Sequence, residues 1–165
     1  LMGCRVIGIA GGPAKCQWLI DELGYDAVID YKSESVDARM KELCKNSINI
    51  YFDNVGGEIL DSALVNLANH ARVVLCGAVS QYEREGGHES VANMWEMITK
   101  RAKAEGFMFS DYVERYPEAL DYITAMLKAD ALVSPVHISQ GIESSGQAFI
   151  DMLDGNSTGK CLVKL

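Results

Sequence analysis

Two apolar runs of this chain each stop abruptly on small residues, roughly twenty positions apart. Ile48–Phe52 runs into Asp53-Asn54-Val55-Gly56-Gly57, and Ala71–Leu75 runs into Cys76-Gly77-Ala78, with a helical pattern between them. Strand, helix and strand in that order belong to a doubly wound parallel sheet, whose ligands lie beyond the carboxyl ends of the strands. Small residues at those ends let a ligand come close to the backbone. The feature confines the chain to an α/β fold and points to a bound dinucleotide.

The same alternation extends to both sides. Cys4–Ala10 is a strand-like run closed by Gly11-Gly12. Pro13–Leu23 reads as a helix, with Pro13 suited to its first turn and Gly24 to its end. Ala27–Asp30 is a short strand, Ser35–Cys44 an amphipathic helix and Ile48–Asp53 the next strand. Glu58–Leu67 follows as a helix, Ala71–Gly77 as a strand and Val79–Ser90 as a polar loop containing Gly86-Gly87. Helices at Val91–Ala102 and Tyr116–Lys128 flank a strand at Glu105–Phe109. The tail adds a strand at Val136–Ser139, a helix at Gly141–Leu153 and a last strand at Cys161–Leu165. Apolar runs without strict alternation, separated by helices, predict a parallel sheet covered on both faces.

Composition removes several classes of function. A length of 165 residues gives room for one core and part of a second domain. The net charge of −8 argues against nucleic acid, whose phosphates need a basic surface. No apolar run approaches the ~18 residues that span a bilayer, and no signal-peptide pattern opens the chain. Five cysteines (Cys4, Cys16, Cys44, Cys76, Cys161) form an odd, scattered set without C-x-x-C, as expected of reduced thiols in a cytoplasmic protein. His70, His88 and His137 are too dispersed to suggest a metal site, so no metal is expected.

One part of the pattern is missing. No G-x-G-x-x-G turn occurs, and Leu1-Met2-Gly3 reads like the end of a helix feeding a strand. In the strand order 3-2-1-4-5-6 the strand carrying that turn is central. Without it, strands 2 and 3 have nothing to bridge them to 4, 5 and 6, and two edges are left with unpaired backbone groups. The expectation is a Rossmann-like sheet lacking its first strand.

Residues 3–15 (Gly-Cys-Arg-Val-Ile-Gly-Ile-Ala-Gly-Gly-Pro-Ala-Lys), 51–57 (Tyr-Phe-Asp-Asn-Val-Gly-Gly) and 76–82 (Cys-Gly-Ala-Val-Ser-Gln-Tyr) resemble the zinc-independent medium-chain dehydrogenase/reductases. The chain is most similar to their alkenal/one reductase branch, which includes prostaglandin, plant double-bond and curcumin reductases. The likeness runs to Gly155-Asn156-Ser157-Thr158-Gly159-Lys160 and covers the second half of a family member. It implies a partial NADP-binding domain over residues 1–133. Residues 134–165 then return to a GroES-like substrate domain. It also implies a homodimer paired through the edge at Gly106–Phe109, since an open apolar edge strand is an aggregation hazard.

Cofactor choice follows from charge. An NAD enzyme ends the matching strand on an acid that hydrogen-bonds the ribose 2′-hydroxyl. Here the strand ends Ile9-Ala10-Gly11-Gly12, and Lys15 follows at the start of a helix. A helix N-terminus with a cation can hold a 2′-phosphate. The resemblance agrees, so NADP is expected, with Gly12 and Lys15 among its contacts. Read alone, Lys15 is equally a solvated surface lysine.

Tyr31 matches a family tyrosine beside the adenosine phosphate, although a Tyr after a strand also serves packing. Asn54 offers a short amide at a strand's carboxyl end, with an Asx-turn cap as its other reading. Cys76, Gly77 and Ala78 would pass beneath the nicotinamide, with Cys76 a small buried hydrophobe and no nucleophile, and Val79 and Ser80 are further expected cofactor contacts. Phe107, Met108 and Phe109 match residues that contact the nicotinamide through the backbone; by composition alone they are core. Relatives carry Asn two places before the final Gly-Lys pair. Here Ser157 stands at that place and Asn156 one earlier.

Tyr82 matches the tyrosine that binds the substrate carbonyl or donates a proton, and without the resemblance it is an exposed loop aromatic. The implied reaction is NADPH-dependent reduction of the C=C bond of an α,β-unsaturated ketone or aldehyde. The cofactor ribose hydroxyl and Tyr82 would stabilise the enolate, which is then protonated at the α-carbon. Two alternatives stand beside it. One is a quinone reductase of the same superfamily, which the loop Ser80–His88 should discriminate. The other is a nucleotide-binding fragment without turnover, and the 165-residue chain by itself is expected to be inactive.

Overall fold

The computed structural model describes residues 2–82 and 90–165; Gly86-Gly87 and His88 of the polar loop lie outside the described residues. In chain order the elements are β1 (Ile7–Ala10), α1 (Pro13–Asp21), β2 (Ala27–Asp30), α2 (Val36–Leu43), β3 (Ile48–Asp53), α3 (Gly57–Val65) and β4 (Leu67–Leu75). They continue with α4 (Glu96–Thr99), β5 (Lys103–Gly106), α5 (Tyr116–Lys128), β6 (Val136–Gln140), α6 (Ser145–Leu153) and β7 (Lys160–Lys164). Two compact units form, Leu1–Lys32 with Arg115–Leu165, and Ser33–Glu114. Every strand pairing is parallel, as the uninterrupted apolar runs predict.

In the first unit β1 and β2 pair from Ile7↔Ala27 to Ala10↔Asp30, with Ile29 fully buried. Pro13 opens α1, where its missing N–H has no partner to lose and its fixed φ suits the helix. β6 and β7 form a separate parallel pair, joined by α6.

The second unit holds the sheet β3–β4–β5. Ser35 caps α2, its Oγ accepting the Ala38 N–H at 3.4 Å. Leu64 of α3 packs with Leu67, Ala71 and Val73 of β4 in a closed cluster, flanked by Tyr51, Leu60 and Leu75. Each such aliphatic side chain contributes about 1.5–3 kcal/mol by leaving water.

Three expectations are corrected here. β4 begins at Leu67 rather than Ala71, because a bulge carries it past Asn69 and His70. Register jumps from Ile48↔Leu67 to Ile50↔Arg72, His70 sits at φ 63°, and its N–H donates to the Lys100 carbonyl at 2.7 Å. The last strand of this sheet is Lys103–Gly106, not Glu105–Phe109: its ladder to Arg72–Leu75 ends at Gly106, so Phe107–Phe109 lie beyond it. Finally, the apolar run of β3 is not buried throughout, since Ile50 and Phe52 are 65% and 56% exposed.

Candidate functional site

In the second unit the site is assembled around a buried carboxylate. Asp53 is 1% exposed, and its Oδ1 accepts the N–H groups of Val55 and Gly56 at 3.0 Å each and the Tyr51 hydroxyl at 3.3 Å. Burial first, and the charge of Asp53 second, push the Tyr51 phenol well above its ordinary value. These bonds fold Asp53–Gly57 into the start of α3, with Gly56 at φ 73°, a conformation that favours glycine. The Asx-type cap is therefore made by Asp53, not Asn54. Asn54 is exposed, and its amide has no hydrogen bond among the described residues.

The end of β4 is laced to the same turn. The Asp53 carbonyl accepts the N–H of Cys76 at 2.8 Å and of Gly77 at 3.1 Å, and the Asn54 carbonyl accepts that of Val79 at 3.0 Å. The Val55 carbonyl accepts both the N–H and the Oγ–H of Ser80, at 3.1 and 2.6 Å. Tyr82 then folds back, its hydroxyl oxygen accepting the Ala78 N–H at 3.4 Å. A phenol accepts with its oxygen and still has its own proton to give. Among the described residues that proton has no acceptor.

Gly77 leaves room that no other residue would leave. A Cβ there would lie 3.3 Å from both the Asn54 carbonyl oxygen and the Tyr82 hydroxyl. Gly77, Ala78 and Tyr82 line an open cleft of about 510 Å³ with Gly106, Phe107 and Met108, a volume in the range of small-molecule and cofactor sites. Phe107 is held edge-on against Phe52 and Tyr112, at ring-centroid distances of 6.4 and 6.1 Å. Two burial expectations fail. Cys76 is exposed, because it lies past the end of β4 at the rim of the cleft. Met108 and Phe109 are 60% and 69% exposed, because they follow the strand rather than lie in it.

In the first unit the sequence-derived residues also converge. Lys15, half-buried on α1, donates from Nζ to the Gly155 carbonyl at 3.0 Å. Tyr31 follows β2, with its hydroxyl 4.0 Å from where a Cβ on Gly155 would lie. Asn156 and Ser157 continue that turn; Ser157 is 9% exposed, and neither side chain makes a hydrogen bond among the described residues. Gly12 precedes α1, and its N–H donates to Asp30 Oδ1 at 2.8 Å. Asp30 escaped the sequence reading, as did Asp53 and Lys32. An Asx turn was the available signal, since Asp30 Oδ1 also accepts the N–H of Lys32 two residues on, at 3.0 Å.

The cradle above Gly77 and the paired small residues fit a flat cofactor ring, and the lysine-bearing turn fits a phosphate. Among the described residues no three His, Cys, Asp or Glu side chains gather into a set able to hold a metal ion. No helix among them is long and apolar enough to cross a membrane.

The family described as zinc-binding dehydrogenase matches residues 1–125. A tobacco (Nicotiana tabacum) 2-alkenal reductase (NADP(+)-dependent) is 37% identical over 164 residues, covering 99% of this chain and 48% of that one. The NADPH-dependent curcumin reductase of Escherichia coli is 32% identical, covering 100% of this chain and 49% of its own length. Among solved structures, CurA from Vibrio vulnificus in complex with NADPH superposes with a TM-score of 0.87 at 41% identity, over 98% of this chain and 50% of that one. The chain spans about half the length of the curated relatives it matches.

Proposed function

The chain belongs to the zinc-binding dehydrogenase family, and from that premise we propose that it is the cofactor-binding part of an NADPH-dependent reductase of α,β-unsaturated ketones and aldehydes. The observation that carries the reading is the stitched pair of turns, Asp53–Gly57 and Cys76–Tyr82, which presents Gly77, Ala78 and the Tyr82 hydroxyl to one cleft. Similarity to an NADP-dependent 2-alkenal reductase and to an NADPH-bound structure supports the choice of cofactor and substrate class. Residues 1–133 are proposed as the cofactor domain and 134–165 as the return to the substrate domain, in a cytoplasmic homodimer.

When bound, NADPH supplies the hydride that reduces the β-carbon of the substrate. The protein's part is positioning and charge. Lys15 and the N-terminus of α1 attract the adenosine 2′-phosphate through an ammonium and backbone N–H groups, and Tyr31 stands beside them. The exposed amide of Asn54 offers a hydrogen bond to a ribose or carboxamide group. Gly77 and Ala78 admit the ring where larger side chains would collide, and Phe107, Met108 and Phe109 border the same cleft or follow its strand. Tyr82, with its oxygen fixed by the Ala78 N–H, directs its remaining proton to the carbonyl oxygen, stabilises the enolate and then supplies the proton at the α-carbon.

Titration of the full protein with NADPH and NADH tests the cofactor assignment. NADPH is expected to bind at least tenfold more tightly, the scale of one charge-assisted contact. Equal affinities would remove it.

A further inference from the structure

Among the described residues, Lys32 is the one lysine besides Lys15 whose ammonium bonds the turn between α6 and β7, and it has no part in the function proposed above. Its Nζ donates to the Asp154 carbonyl at 3.1 Å, while Lys15 Nζ donates to the next carbonyl, that of Gly155, at 3.0 Å. Two cations from segments far apart in sequence thus meet at consecutive peptide groups. A Cβ on Gly155 would lie 3.9 Å from Lys32 Nζ and 4.0 Å from the Tyr31 hydroxyl, so both groups flank the same spot.

The approach of Lys32 is built in from beneath. A Cβ on Gly11 would lie 2.9 Å from Lys32 Cε and from two ring carbons of Tyr31. Gly11 therefore lets the lysine stem and the phenol ring lie across the turn that starts α1. Asp30 fixes the backbone on both sides, its Oδ1 accepting the N–H of Gly12 and of Lys32.

Charge makes the arrangement informative. In a chain of net charge −8, among the described residues neither ammonium has a carboxylate partner. Backbone carbonyls orient the two lysines without neutralising them. Each ammonium has three N–H donors and uses one on a carbonyl, leaving two apiece for an anion. Lysine serves phosphate recognition as a compact point charge, and two of them beside a phenol and a helix N-terminus suit a phosphate monoester dianion.

We propose that Lys32 is a second cationic ligand for the 2′-phosphate of the cofactor, acting with Lys15 and Tyr31, so that the preference for a 2′-phosphate is shared between two lysines. The proposal rests on the NADPH reading. It is tested by isothermal titration of the full protein with adenosine 2′,5′-bisphosphate and with adenosine 5′-monophosphate, for wild type, Lys32→Gln, Lys32→Arg and Lys15→Gln. Lys32→Gln is expected to weaken the bisphosphate roughly tenfold. It should leave the monophosphate unchanged, and Lys32→Arg should restore most of the loss.

Lys32 is exposed, in the turn two residues beyond β2, so these variants are expected to fold, with melting temperature as the check. If Lys32→Gln keeps the wild-type ratio of the two affinities while Lys15→Gln lowers it, the proposal fails and the NADPH reading stands. If wild type itself shows no preference for the bisphosphate, the NADPH reading fails and the proposal with it.

Discussion

Lys15 donates to the carbonyl oxygen of Gly155 at 3.0 Å, tying the first turn of α1 to a turn 140 residues later in the chain. On the proposal above, Lys15 holds the adenosine 2′-phosphate, a part of the cofactor that does not react. A contact to a non-reacting part of a ligand holds ground and transition states alike. Lys15→Met is therefore expected to raise KM for NADPH about tenfold and to leave kcat within about twofold. Steady-state kinetics over a range of NADPH concentrations decide it, and a fall in kcat at unchanged KM would place Lys15 elsewhere.

Tyr82 carries the opposite signature. Its oxygen is fixed by the Ala78 N–H at 3.4 Å, and in the proposed function its proton goes to the substrate carbonyl. Removing that hydroxyl in Tyr82→Phe should lower kcat by roughly a hundredfold, the scale of a lost general acid or oxyanion donor, with KM for NADPH little changed. A variant that retains full kcat takes Tyr82 out of the chemistry.

A substitution at Gly77 tests the proposed ring pocket alone. A side chain there would press on the Asn54 carbonyl and the Tyr82 hydroxyl, each 3.3 Å from the new Cβ. Gly77→Val is expected to weaken NADPH binding about tenfold or more, since overpacking of this kind costs about 1–3 kcal/mol. Binding of adenosine 2′,5′-bisphosphate should not change. Equal losses for both ligands would mean that the substitution disturbs the whole fold.

Tyr51 gives a prediction in pH. Burial, then the charge of Asp53, raise its phenol, so the folded chain holds this proton more tightly than the unfolded chain. Its contribution is fully present below the unfolded phenol value of about 10 and is lost as pH rises toward the higher folded value. Tyr51→Phe should cost about 1 kcal/mol at neutral pH through the lost hydrogen bond to Asp53. Above pH ~10 its stability should fall less steeply than that of wild type. Urea melts at several pH values read both effects; parallel curves would show that Tyr51 does not titrate with unfolding.

Much of the fold was legible because local signals and burial agree. β2, β3 and α5 have the boundaries read from the sequence, since each is an apolar run or periodic pattern closed by a polar or turn residue. β5 was misplaced because a strand at a sheet edge needs only backbone partners, and Lys103–Gly106 supplies them while the apolar Phe107–Phe109 does not. The bulge at His70 was hidden for a related reason: the N–H it turns outward bonds the carbonyl of Lys100, thirty residues later in the chain. Within the site, Gly77 was legible as a small residue at the end of a strand, and Tyr82 through the family resemblance alone. The roles of Asp30 and Lys32 were not, because each depends on backbone groups that only the fold brings within reach, whereas Asp53 bonds the N–H groups two and three residues on, a local Asx pattern.

The most direct measurement is kcat/KM of the full protein for an α,β-unsaturated ketone and for a quinone, each with NADPH and with NADH. The enone with NADPH is expected to give the highest value, with NADH at least tenfold lower. Faster turnover of the quinone, or equal rates with the two cofactors, would contradict the assignment.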